Sequence, residues 1–219
     1  MSRINAIYGY GGFAREVFPM LNDQYPEHKN IFIVHKKFMP HDKFINNHPL
    51  MSFEDFLQCP EKEKYLCIAI SDSKKRALLS KEIDALGIKK INVISKNTII
   101  MDEVSISKGA IICPFVTLTS NIKIGENFHA NLYSYVAHDC VIGNNVTFAP
   151  SVKCNGNVII EDNVYIGTGA IIKQGKHDKP ITIGKSSIIS AGSYVTRSVE
   201  PSTTVYGNPA KKLSKSSLK

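Results

Sequence analysis

His138 and Asp139 stand side by side in the run Val136-Ala-His-Asp-Cys140, and such a pair can move a proton. A neutral imidazole is the best side-chain proton acceptor near neutral pH, and a carboxylate beside it can orient the ring and raise its basicity. A second segment able to do chemistry lies near the N-terminus, where Gly9-Tyr-Gly11-Gly-Phe-Ala14 has the form G-x-G-x-x-A. Between a strand and a helix, that loop turns backbone N–H groups toward a phosphate. Five cysteines (Cys59, Cys67, Cys113, Cys140 and Cys154) are scattered, odd in number and form no C-x-x-C pair. The pattern suits reduced thiols rather than a disulfide framework or a structural zinc.

These residues need elements to hold them, and the second half of the chain supplies one by its period. Every sixth residue from Ile94 to Ile172, passing through Ile112, Ile124, Val136, Ile142 and Cys154, is apolar or small. A companion series two residues earlier, including Val104, Val116, Cys140, Val158 and Ala170, is small or β-branched for most of its length. Gly125, Gly143, Gly167 and Gly184 follow repeat residues directly, and the register breaks once, at the insert 175–180, before resuming at Ile183, Ile189 and Val195. A six-residue period is the signature of a β-helix. Three short strands make a triangular coil, stacked coils bury a continuous column, and the turns project outward.

On this reading residues 94–200 supply about six coils, and the repeat positions are structural. Cys140 and Cys154 fall on inward series and read as small core residues, in preference to an acyl-accepting thiol or a zinc ligand with His129 and His138. His138 comes two residues after Val136, near a coil corner and outside the core. His28, His41, His48 and His177 read as solvated loop residues.

Residues 1–93 read as β-α-β-α-β-α-β, a small parallel sheet with helices. A strand over 4–8 leads into the glycine loop and then a helix carrying Phe13, Val17, Met20 and Leu21, which Pro19 should kink or tighten. A strand follows over 31–34, a helix opens at Ser52 with Asp55 three residues on, a buried strand covers 65–70, and Leu79, Ile83 and Leu86 line a helix stopped by Gly87. NAD is rejected. A domain of about 90 residues is half of a dinucleotide fold, and Val34, His35 and Lys36 stand where a ribose-binding acid belongs. A mononucleotide or sugar-nucleotide diphosphate on Gly11, Gly12 and Phe13 fits better.

The 219 residues carry a net charge of +8, with 43% hydrophobic and 21% charged residues, which suits a folded globular chain and excludes disorder as the main state. Lys211, Lys212, Lys215 and Lys219 place much of the excess in a basic tail over 201–219. No stretch interleaves basic and aromatic residues as a base-stacking groove would, so nucleic acid is not an expected partner. No membrane partner is expected either, since no run approaches a membrane span and no signal peptide opens the chain, and the expected location is cytoplasmic.

The segments Asn131-Leu-Tyr-Ser-Tyr-Val-Ala-His-Asp-Cys-Val-Ile-Gly143, Lys153-Cys-Asn-Gly-Asn157 and Tyr206-Gly-Asn-Pro-Ala210 closely resemble the hexapeptide acetyltransferases of the sugar-nucleotide branch. That branch comprises PglD-like N-acetyltransferases of UDP- or dTDP-linked 4-amino-4,6-dideoxyhexoses and NeuD-like sugar O-acetyltransferases. The resemblance spans the chain. It implies an N-terminal half-Rossmann domain and a left-handed β-helix, an exception to the usual right-handed crossover. It also implies a homotrimer with acetyl-CoA in the cleft between neighbouring β-helices, no metal, and a place in polysaccharide biosynthesis such as that of O-antigen.

By the same resemblance His138 is the general base and Asp139 its orienting acid. Gly11, Gly12, Phe13, Val34, His35, Ser71 and Asn131 fall at the nucleotide-sugar site, and Thr147, Gly156, Gly167, Thr168 and Ala191 along the acetyl-CoA cleft. The expected reaction is acetyl transfer to the 4-amino group of a dTDP- or UDP-linked sugar. Three alternatives stay open: a hydroxyl acceptor, a zinc carbonic-anhydrase-like β-helix using His129, His138 and His177, and a non-catalytic nucleotide-sensing scaffold.

Overall fold

The computed structural model describes residues 3–213. Its N-terminal part runs β1 (Arg3–Tyr8), α1 (Gly12–Gln24), β2 (Lys29–Val34), β3 (Phe44–Ile45), β4 (His48–Ser52), α2 (Phe53–Gln58), β5 (Glu63–Ile68), α3 (Ser73–Ala85) and β6 (Lys89–Lys90). The strands lie in the order β3-β4-β2-β1-β5-β6. All pairings are parallel except the β3–β4 hairpin, which turns on Asn46 and Asn47 at φ 48° and 64°. Asparagine tolerates that left-handed backbone, and the hairpin is an addition to the plan expected from the sequence.

Alternation along β1 and β2 sorts the core. Ile4, Ala6, Ile31 and Ile33 face Phe53, Phe56 and Ile83, while Ile7, Phe32 and Val34 pack with Val17, Phe18 and Leu21 of α1. Ser52 caps α2 by accepting from the Asp55 N–H at 3.0 Å. Helix α1 runs on through Pro19. Helix α3 differs from expectation: Leu86 is exposed, and the buried face is Ser73, Arg76, Ser80 and Ile83, largely polar. Since β2 lies on one side of β1 and β5 on the other, a crevice opens at the carboxyl ends of β1 and β5, the switch point where open α/β sheets bind ligands.

From Val93 the chain winds into a left-handed β-helix of three parallel sheets: sides one, two and three. Side one is built from Val93–Ile94, Ile111–Ile112, His129–Ala130, Thr147–Phe148, Tyr165–Ile166, Ile188–Ile189 and Thr204–Tyr206. Ile112 pairs with Ala130 and Ala130 with Phe148, so 18 residues make one coil. Past the insert the step lengthens, Ile166 pairing with Ile189. The inward series from Ile112 through Ile172, then Ile183, Ile189 and Val195, forms one buried column. Side two opens at Ile99–Ile100 and continues through Thr117–Leu118 and Tyr135–Val136; Ile100 is 42% exposed because no strand of that side lies beneath it.

Many corners are held by Asn or Asp in the left-handed region, among them Asn121, Asp139, Asn157 and Asn163 at φ 55° to 61°. The start of the expected tail belongs to the β-helix. Thr204–Tyr206 pairs in parallel with Ile188–Ile189, and Lys211–Lys212 folds back on it antiparallel. Lys215 and Lys219 lie outside the described residues. No helix among the described residues is long and apolar enough to cross a membrane, and the five cysteines are free.

Candidate active site

His138 and Asp139 occupy the corner joining side two, at Tyr135–Val136, to side three, at Val141–Ile142. Both neighbouring coils fix this corner: the Asp139 N–H donates to the Ser120 carbonyl, and the Asn157 N–H to the His138 carbonyl, each at 3.0 Å. His138 Nδ1 lies 2.7 Å from Asp139 Oδ2, and Asn121 Nδ2 donates to the other carboxylate oxygen at 3.2 Å. The His138 hydrogen bond, with Asn121 and the charge of His177 assisting, holds the Asp139 carboxyl below its ordinary range. An ionised acceptor at Nδ1 assigns the hydrogen to that nitrogen and leaves Nε2 with a lone pair.

Gly156, one coil above, makes room for the ring: a Cβ there would sit 2.6 Å from His138 Cε1 and Nε2. Gly175 N–H donates to the Gly156 carbonyl at 2.9 Å, so the 175–180 insert leaves from the same corner. His177, on that insert, is exposed, as the sequence predicts.

A second constellation lies at the switch point. Phe13, Ser71, His129, Asn131, Thr147 and Thr168 line a cavity of about 160 Å³. Phe13 comes from the first turn of α1, Ser71 from the segment after β5, and the others from side one or the corner between sides one and two. Helix α1 starts after Gly11 with no side-chain cap, so first-turn N–H groups are available to an anion. Space around Gly11 is open, and a Cβ added there would meet nothing within 4 Å.

Val34 and His35 do not line this cavity. Val34 is in the core beside α1, and the His35 ring sits between Glu54 and Glu82, 3.4 Å from each carboxylate. Gly167 and Ala191 are stacked coil on coil, a Cβ on Gly167 falling 2.5 Å from the Ala191 nitrogen. Thr147 and Thr168 thus lie with Phe13, Ser71 and Asn131, the residues expected at the nucleotide-sugar site, while Gly156 lies against His138. Side two separates the two groups within one protomer.

The residue that ties the cavity together carries no motif in the sequence. Arg76 is fully buried, and its guanidinium donates to the carbonyls of Ile70 (2.6 Å), Asn145 (2.7 Å), Asn127 (3.1 Å) and Ser71 (3.2 Å) and to the Thr147 hydroxyl (2.8 Å). Thr147 Oγ1 in turn donates to the Ser71 carbonyl at 3.1 Å. Burial lowers the Arg76 pKa to about 9, so it remains a cation at neutral pH. Beside it Lys90 meets Asp84 at 2.9 Å and Glu126 at 2.8 Å. These bonds explain the polar inner face of α3, which docks on the β-helix.

His129 faces the N-terminal sheet from side one, with Nε2 2.9 Å from the Ile68 carbonyl. It therefore does not converge with His138 on a common point, and among the described residues no group of three or more His, Cys, Asp or Glu gathers. Cys140 and Cys154 are fully buried in the column. The neighbouring Cys140 thiol, and then burial, push the Cys154 thiol well above its ordinary range.

Comparison with known proteins agrees with this fold. A family model described as the hexapeptide repeat of succinyl-transferase matches residues 157–197. The chain is 44% identical over 212 residues to a GDP-perosamine N-acetyltransferase of Escherichia coli O157:H7, covering 96% of each. The structure of WeeI from Acinetobacter baumannii AYE is 48% identical, with a TM-score of 0.93 over 97% of this chain and 100% of that one. PerB from Caulobacter crescentus, solved with CoA and GDP-perosamine, shares the fold at 23% identity, with a TM-score of 0.84 over 96% of this chain and 97% of that one. The chain belongs to the hexapeptide-repeat family of acetyl-CoA-dependent N-acetyltransferases that act on nucleotide-linked amino sugars.

Proposed function

We propose that this protein transfers acetyl from acetyl-CoA to the 4-amino group of a GDP-linked 4-amino-4,6-dideoxyhexose, with His138 as general base. The observation that carries the reading is the His138–Asp139 bond of 2.7 Å at an exposed corner, which leaves Nε2 as a proton acceptor. The amine lone pair attacks the thioester carbonyl carbon, a C–N bond forms, the C–S bond breaks and CoA leaves as thiolate. The amine proton passes to Nε2. GDP takes the place of the dTDP or UDP expected from the sequence because the E. coli relative is named for GDP-perosamine.

The diphosphate is assigned to the N–H groups at Gly11, Gly12 and Phe13, and the sugar to the cavity beside Ser71 and Asn131. A substrate so held is on the far side of side two from its own protomer's His138. The reading therefore includes a homotrimer in which the partner subunit's His138 meets the amine, with acetyl-CoA in the cleft between protomers, along Gly156 of one and Gly167, Thr168 and Ala191 of the next. The reduced cysteines suit a cytoplasmic setting.

The test is a thiol-release assay with GDP-, dTDP- and UDP-linked 4-amino sugars and their 4-hydroxy counterparts. The GDP-amino sugar is expected to give the highest kcat/KM. A hydroxyl acceptor outcompeting every amine, or no CoA release with any nucleotide amino sugar, would overturn the reading.

A further inference from the structure

His129 is the imidazole that the proton transfer does not use. It is fully buried, and since the Ile68 carbonyl 2.9 Å away can only accept, its Nε2 carries the hydrogen. Burial, and then the nearby charge of Arg76, hold it well below the ordinary imidazole range, so the ring is neutral and Nδ1 bears a lone pair. That nitrogen is buried and has no hydrogen-bond partner among the described residues. Phe13 covers the ring, with centroids 5.0 Å apart. An unanswered buried acceptor is costly, and in native proteins it usually finds a donor.

We propose that His129 is a specificity-determining residue whose Nδ1 accepts a hydrogen bond from a hydroxyl of the pyranose ring of the nucleotide-linked substrate. The proposal rests on the substrate reading above. The cavity that His129 lines holds about 160 Å³, well under the roughly 300–1,000 Å³ of a whole-ligand site, so it takes one ring of the substrate. With the diphosphate at the start of α1, either the base or the sugar could enter. The β-helix wall, which belongs to the acetyl-transfer half of the molecule, selects the sugar. Ser71, Asn131 and Thr168 offer polar partners and Phe13 an apolar face, the mixture a pyranose needs. The cation of Arg76, bonded to Thr147 behind the wall, disfavours an ammonium there, so Nδ1 reads a neutral hydroxyl and not the amine.

Two substitutions separate the two ring nitrogens. His129→Gln can keep a donor near the Nε2 position for Ile68 and removes the Nδ1 acceptor, whereas His129→Asn keeps an acceptor near Nδ1 and gives up the Ile68 bond. KM and kcat for the GDP-linked amino sugar, inhibition by GDP alone and the melting temperature are measured for the wild type and both variants. His129→Gln is expected to raise KM about tenfold while leaving GDP inhibition and the melting temperature near wild type. His129→Asn is expected to keep KM within about threefold and to melt earlier. Wild-type turnover combined with an unchanged KM in His129→Gln overturns the proposal alone, leaving Nδ1 to a buried water. Absence of wild-type turnover overturns the substrate reading and the proposal with it.

Discussion

One edge of the His138 imidazole is committed to Asp139 and the other is free, and this division governs what each substitution should do. His138→Ala or His138→Asn should lower kcat by about 10² to 10⁴, the usual contribution of a general base. Acetyl-CoA binding and the melting temperature should stay near wild type, because the side chain is half exposed and outside the column. Gly156→Ala should also cut kcat, since the added Cβ takes the space of the ring while its backbone conformation tolerates alanine; circular dichroism should show the fold retained. Asp139 is held ionised below the ordinary carboxylate range, so its anion stands beside the ring throughout the neutral range. Asp139→Asn should therefore reduce kcat/KM across the neutral range, because the ring loses the anionic acceptor that fixes its Nδ1 hydrogen, and an unchanged kcat/KM would remove Asp139 from the mechanism.

At the scale of elements, the β-helix column and the α3 joint fail differently. Ile142 is 2% exposed in the column, and Ile142→Asp should prevent folding because it buries an unpaired charge. Arg76→Met should leave the protein folded but less stable by about 2–4 kcal/mol, since buried carbonyls lose their donor. It should also raise KM for the nucleotide sugar as Ser71 and Thr147 lose their tie, which a thermal melt and steady-state kinetics together would register. The column is legible in the sequence because a period of six leaves one apolar residue per side, as at Ile124, Val136 and Ile142. The same period places His138 outside the core near a corner, but its role as a base is read only from the resemblance of its motif to the acetyltransferases. Arg76 and His129 are not legible as site residues. A charged residue on a helix reads as solvated until the surface it docks on is known, and His129 lies one residue before a repeat position, where it points out of the column and is buried only because the neighbouring sheet covers it. Val34 and His35 enter the expected site only by analogy with acids after a second strand. Their places in a core and between two carboxylates depend on side-chain packing that no spacing encodes.

At the scale of the whole molecule, the crevice at the start of α1 and the His138 corner lie on different edges of one prism, so the proposed site is completed by a second copy and the proposed homotrimer repeats it three times. Sedimentation should find a trimer of the 24.3 kDa chain, inactive when dissociated. The most direct measurement uses two variants, each inactive alone. Gly11→Glu puts a carboxylate where the diphosphate binds, in open space and at a φ of −68° that any residue adopts; His138→Ala removes the base. Co-expressed with different tags and purified through both, mixed trimers contain an interface that pairs an intact crevice with an intact His138. They should recover about one third of wild-type turnover on the GDP-linked amino sugar, because one of three interfaces is whole. Mixed trimers as inactive as either parent would contradict a site shared between protomers.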